Sequence, residues 1–231
     1  MTRTRSHFLL QLTTVLTLLG VFLATMSARD AFAGGFWPKT FLLVRMLVLV
    51  LLCTWFLRRS GERWAEVGLR KPRRWWPIPL LVIGGFVLLV VLSSIIRSML
   101  LPALGIPPPR LASALVTPGN LAEYLYSAIL VAWGSAAFGE EMVVRGFILD
   151  RMMKLFGSSR NPAALAAVVL QAALFGAFHF YQGMAGVLIT GMVGLVIGLV
   201  WFLGGRNLWA CILLHGLVDF ITNTEAFTAT R

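Results

Sequence analysis

The sequence predicts an all-α fold: a polytopic transmembrane helical bundle of about seven spans around an intramembrane polar cavity. Three observations predict it. The 231-residue chain is 58% hydrophobic and only 13% charged, whereas a soluble globular domain is about 45–50% apolar and about 25% charged. Its apolar residues gather into runs near the length of about 20 residues that crosses a bilayer. A few ionisable residues stand inside those runs, where a charge costs at least about 2.5–3.5 kcal/mol, so they are expected to face the bundle interior or a wet cavity.

The expected spans are 8–28, 38–57, 77–101, 120–149, 162–181, 184–204 and 207–224. They form a single membrane domain over 1–231, with N-terminal spans and a basic cytoplasmic loop over 1–76 and a helical core over 119–224. The net charge of +11 resembles a nucleic-acid footprint, but the positions of the charges argue for membrane lipid as the partner and against nucleic acid. Seven basic residues fall in RRSGERWAEVGLRKPRRWW alone, as in a cytoplasmic loop beside anionic lipid. Alternate segments hold thirteen basic residues on one side and four on the other. That bias predicts a multi-pass protein of the cell membrane with its N-terminus in the cytoplasm and its C-terminus outside. The first run also reads as a secretory signal ending at Ala31-Phe32-Ala33, although it is longer than the usual 7–15 residues.

LPALGIPPPRLASALVTPGN cannot continue a helix and connects two spans, with a gate over a site as the alternative. Gly186, Thr190, Gly194 and Gly198 recur at steps of four. They form a stripe that lets a neighbouring helix approach, within the bundle or in a dimer. Cys53 and Cys211 lie in apolar runs and read as packing residues. Oligomeric state has no signature.

Of the acidic residues, Asp30, Glu62, Glu66, Asp150 and Glu225 are expected in solvent, and Glu123, beside Tyr124 and Tyr126, at the interface. Glu140, Glu141 and Asp219 are left at membrane depth, together with His179 and His215. Glu141 and Arg145 are four apart and can pair as helical neighbours. Glu140 is turned about 100° from Glu141 and can face another cavity. Phe175 and His179 are four apart, and so are His215 and Asp219. A structural ion pair or polar clasp accounts for each pair alone. Three spans that each present ionisable groups are costly as mere adhesion and point to chemistry. Counted from helix ends, Glu140 and His215 lie about 15 and 12 Å deep, but His179 about 25 Å, unless its helix starts below the membrane surface or is tilted.

At these residues the chain resembles the CPBP, or CAAX-protease, family of intramembrane endopeptidases, also called Abi. The family pattern EExxxR stands as Glu140-Glu141-Met142-Val143-Val144-Arg145, FxxxH as Phe175-Gly176-Ala177-Phe178-His179, and HxxxN/D as His215-Gly216-Leu217-Val218-Asp219. EVGLRKP before the third span is also typical. The resemblance implies a catalytic helical core with a cavity open to one side of the membrane. It implies hydrolysis of a peptide bond in a membrane-anchored peptide or protein, CAAX-like or leader-like, with no cofactor. It gives Glu140 as general base, His179 as the residue that positions the water, and His215 with Asp219 as oxyanion stabilisers. Glu141, Arg145 and Phe175 then act in support.

The chemistry fits those residue types. Without a side-chain nucleophile, peptide hydrolysis needs an activated water, an acid for the amine and donors for the oxyanion. No G-x-S-x-G is present, and Cys211, four from His215, is a poor thiolate in an apolar span. Asparagine is common at the last position and can donate; Asp219 donates only if protonated, or else fixes the tautomer of His215 from behind. Three alternatives stay open. Glu140, His179, His215 and Asp219 could hold zinc in a membrane protease. A non-catalytic member could serve as a bacteriocin-immunity or secretion scaffold. A small transporter could use the same groups as a proton relay, though no inverted repeat is seen.

Overall fold

The computed structural model describes residues 5–25, 35–109, 116–157 and 161–229. Among them every regular element is helical. Seven helices follow in order: α1 (Arg5–Ala24), α2 (Phe36–Arg59), α3 (Pro77–Ala103), α4 (Leu121–Phe156), α5 (Asn161–Ala177), α6 (Met184–Leu203) and α7 (Leu208–Thr228). The all-α expectation holds. Five of them, α1, α2, α3, α4 and α6, are long and apolar enough to cross a membrane. The helix α7 has the length, but its His215, Asp219 and Glu225 dilute its apolar character. Asp30 and the Ala31-Phe32-Ala33 cleavage reading lie outside the described residues.

Local chemistry sets the boundaries. Pro77 opens α3 at a position where its missing N–H is no loss. Asn120 caps α4 by accepting from the Glu123 N–H at 3.2 Å, and Asn207 caps α7 by accepting from the Trp209 N–H at 2.9 Å. Gly157, at φ 72°, closes α4 in the left-handed conformation. The expected span 162–181 is corrected: α5 stops at Ala177, and a short turn over Phe180–Gln182 leads through Gly183 into α6. Seventeen residues make about 25 Å, short of a bilayer core of about 30 Å.

The helices α5 and α6 pack closely as a hairpin, and the small-residue stripe explains it. Gly194 faces Ala172 and Phe175, and Gly198 faces Val168. The stripe therefore serves packing within the bundle. A Cβ on Gly176 would come within 2.5 Å of the Val187 carbonyl oxygen and 2.9 Å of the Gly191 Cα. Backbone cannot swing aside as a side-chain tip can. Gly176→Ala should destabilise the protein by about 1–3 kcal/mol, read as a lower unfolding midpoint; an unchanged midpoint would mean that the hairpin has slack.

The middle of α4 packs on α2 and α7, α3 covers α6 and α7, and α1 lies against α2 and the end of α4. Two polar clusters tie the ends. Glu123 is buried within the protein. Its carboxylate accepts from Lys39 at 2.5 Å, from the Gly35 N–H at 2.9 Å and from the Thr117 N–H at 3.2 Å. Glu62 and Asp150, expected in solvent, instead hold Arg151 at 2.6 and 2.5 Å, and both also pair with Lys154. Arg151 is fully buried, and its guanidinium lies over the rings of Phe8 and Phe147. This joins α1, the loop after α2 and the end of α4.

Burial alone would raise the Glu62 pKa, but hydrogen bonds and charge from Lys154 and Arg151 outweigh it and hold the carboxyl below its ordinary 4.5. A depressed carboxyl stabilises the fold fully above its unfolded value and loses that contribution as the pH falls through the folded one. Acidification below 4.5 should therefore cost the wild type more thermal stability than it costs Glu62→Gln. Equal acid losses would remove the cluster from the account.

Candidate active site

In α4 the hydrogen bonding widens to π-helical spacing over Ser127–Glu140 and again over Met142–Ile148. Such stretches are frequent at functional sites. Here Glu140 ends the first stretch and Glu141 stands between the two. Glu140 and Glu141 point to different surroundings, as their offset around the helix predicts. Glu140 lines a cavity of about 380 Å³, and no hydrogen bond holds it among the described residues. Glu141 is fully buried beneath that cavity.

A single oxygen of Glu141 accepts from Arg145 Nη1 at 2.8 Å and from His215 Nδ1 at 2.8 Å. Arg145 also donates to the Gly194 carbonyl at 3.2 Å, and its Cζ lies 4.5 Å from the Phe175 ring centroid. The Phe175 ring stands edge-on to His215 at 6.4 Å and against the His179 ring at 4.7 Å. Phe175 thus touches both histidines and the arginine.

His179 lies in the turn beyond α5. Its Nδ1 is 2.7 Å from the Phe175 carbonyl oxygen. A carbonyl can only accept, so Nδ1 carries the proton and a neutral ring offers Nε2 as an acceptor. On α7, His215 Nε2 lies 3.6 Å from Asp219 Oδ2, beyond a good hydrogen bond. The tautomer-fixing role expected of Asp219 is corrected here. The carboxylate on His215 Nδ1 is Glu141, and Asp219 stands on the other side of the ring. Sequence reasoning left Glu141 with Arg145 alone and missed this cross-helix bond.

Glu140, His179, His215 and Asp219 all line the one cavity. Their depths agree. A Cβ on Gly146 would meet Leu208 at 3.2 Å, which sets α4 and α7 in register. Glu140 and His215 each lie about 10 Å along from there. Phe175 sits beside Gly194, about 14 Å from the end of α6 but about 21 Å from the start of α5. The helix α5 therefore begins about 7 Å beyond α6, which accounts for the excess depth counted for His179.

Phe22, Leu42 and Met46 from α1 and α2 give the cavity an apolar side. Arg45 and Arg97, Pro109 of the proline-rich loop, and Ser135, Tyr181 and Asn223 also reach the cavity. The two arginines had one sequence signal, a cation inside an apolar run. Cys211 turns away, its sulfur near the carbonyls of Ile197 at 3.7 Å and Asn207 at 3.8 Å, and both cysteines are free and buried. Among the described residues, no three His, Cys, Asp or Glu side chains are grouped so that they could hold a metal ion.

Residues 122–221 match a family model described as Type II CAAX prenyl endopeptidase Rce1-like. No curated protein and no solved structure matches the chain. The matched segment contains all three motifs, including Glu140, His179, His215 and Asp219, while Asn223 lies just beyond it. Over that segment the chain is similar to the CPBP, or CAAX-protease, family of membrane-embedded proteases.

Proposed function

We propose that this chain is an intramembrane endopeptidase that hydrolyses a peptide bond close to a substrate's membrane anchor, with a water activated by Glu140. One observation carries the reading. Glu140 lines the cavity together with His179 and has no hydrogen bond among the described residues, while its neighbour Glu141 is engaged twice. A base must be free to take a proton and a scaffold residue must not.

In this mechanism a water lies between Glu140 and His179 Nε2. Glu140 takes one proton as the water oxygen bonds to the scissile carbonyl carbon, and His179 accepts a hydrogen bond from the other. The carbonyl oxygen gains charge beside His215, which, protonated on both nitrogens, keeps its Nδ1–H on Glu141 and donates its Nε2–H to that oxygen. Glu140 then returns its proton to the amine nitrogen as the C–N bond breaks. Asp219, on the Nε2 side of His215, helps to orient that donor. The reaction draws on no metal. The apolar side of the cavity suits the membrane-embedded part of a substrate, a lipidated CAAX-like tail or a leader peptide. The basic bias of the loops supports a cytoplasmic N-terminus in the cell membrane.

The test is cleavage of membrane-anchored peptides by the purified chain in liposomes, with and without a chelator. Cleavage indifferent to chelator and absent in Glu140→Gln is expected. Loss on chelation would replace this mechanism with a metal-dependent one. Folded protein that cuts none of the lipidated or leader-type peptides would favour a binding role.

A further inference from the structure

A second cavity, of about 1040 Å³, lies at the other end of the bundle, between the segment before α3 and the turn from α6 to α7. The two backbones are joined there. The Leu208 N–H donates to the Gly68 carbonyl at 3.0 Å, Asn207 Nδ2 to the Arg70 carbonyl at 2.8 Å, and Arg70 Nη2 to the Gly205 carbonyl at 3.1 Å. Gly68, at φ +112°, sits so close that a Cβ would come within 2.8 Å of the Arg206 carbonyl oxygen. This segment is a docked wall.

Arg70, Lys71, Arg73 and Arg74 line the cavity, and its floor is Ile78, Leu81 and Leu203. Among the described residues no carboxylate pairs with any of the four cations. A bias of positive charge on one membrane face requires a number of cations, not their convergence on one hollow. Converging like charges repel unless an anion sits among them. The amino end of α3 opens on the same hollow with no side-chain cap and no acidic residue in its first turn, which favours an anion further. The apolar floor then chooses among anions. It continues into the outward face of α3, where Leu80 and Ile83 are 63% and 61% exposed, so an acyl chain can follow it. Trp75 and Trp76 stand exposed beside the rim, and Trp75 packs on Trp209 at 6.2 Å. Tryptophans gather at the depth of lipid headgroups.

We propose that this cavity binds the phosphate headgroup of an anionic phospholipid, held by Arg70, Lys71, Arg73 and Arg74. The choline of a zwitterionic lipid would meet the same cations and be repelled. The site lies apart from the Glu140 cavity and does not depend on the proteolytic reading.

Native mass spectrometry of the full-length chain, released from detergent with equal amounts of phosphatidylglycerol and phosphatidylcholine of the same chains, tests this. The wild type should retain phosphatidylglycerol as a single persistent adduct. Each cation near an anionic headgroup contributes about 1 kcal/mol, so the triple variant Lys71→Gln/Arg73→Gln/Arg74→Gln should lose about a hundredfold in retention. Arg58→Gln/Arg59→Gln/Arg63→Gln removes as much charge from the end of α2 and the loop after it, outside the cavity, and should retain the lipid as the wild type does. Equal loss in both triple variants would reduce the effect to bulk charge and overturn the site. So would equal retention of phosphatidylcholine by the wild type, a result that needs no variant. Displacement of the lipid by millimolar inorganic phosphate would assign the cavity to a soluble anion instead.

Discussion

Glu140→Gln is expected to lower kcat/KM for the cleaved peptide by about 10²–10⁴-fold, the range that a positioned general base contributes, without a comparable loss of stability. The two halves of this expectation have separate causes. Glutamine keeps the volume and the shape of the side chain but cannot accept a proton from water at neutral pH. Because no hydrogen bond holds Glu140 among the described residues, the substitution breaks none in the fold, and it removes a carboxylate from a cavity shared with Asp219. Glu141→Gln changes no more atoms, yet it weakens two charge-assisted bonds at once. The contrast is the informative measurement: activity and unfolding midpoint for both variants in one detergent. Glu140→Gln with wild-type turnover would remove the base assignment and direct attention to Asp219, the other carboxylate lining the cavity. Loss of activity with an equally lowered midpoint in both variants would mean that Glu140 is structural after all.

The sequence carried the fold and the site to different depths. Apolar runs found the helices because burial in lipid demands apolar length, which is local information. They missed the end of α5, because Phe178, Phe180 and Tyr181 prolong the apolar run past the point where the helix stops. The reversal into α6 is marked conformationally, by Gly183 at φ 84°, and hydropathy does not register it. The same division holds in the site. Residues four apart on one helix share a face, so the pairing of Glu141 with Arg145 was legible. The bond from His215 to Glu141 spans 74 positions and depends on how α4 and α7 are rotated about their axes. The π-helical stretches shift that rotation away from what 3.6 residues per turn predicts. Asp219 was the nearer candidate along the chain and Glu141 the nearer one in space. Glu62 and Asp150 failed for the same reason. Each reads as a solvated end-of-helix acid until the fold brings the loop after α2 beside Arg151 and Lys154.

Arg145→Met should destabilise the protein by about 3–5 kcal/mol, the cost of leaving a buried partner charge uncompensated. Arg145 and Glu141 are both fully buried. Without the guanidinium, Glu141 keeps only His215, the Gly194 carbonyl loses its donor, and the Phe175 ring loses its cation. Glu141→Gln strands the charge of Arg145 in turn. In the double variant Glu141→Gln/Arg145→Met neither charge is present, so the total loss should fall well below the sum of the single losses. An equilibrium unfolding cycle over the four proteins measures that coupling, and strict additivity would mean that the two side chains do not stabilise each other. Activity should not follow stability in this cycle. Glutamine at position 141 can still accept from His215 Nδ1, but it brings no charge to hold the imidazole against the drag of Asp219 on its far side. The double variant is therefore expected to regain much of its unfolding free energy while its cleavage rate stays near that of Glu141→Gln. A rate that recovered together with the fold would reduce Glu141 to an ion-pair partner and leave His215 to be oriented by Phe175 and Asp219 alone.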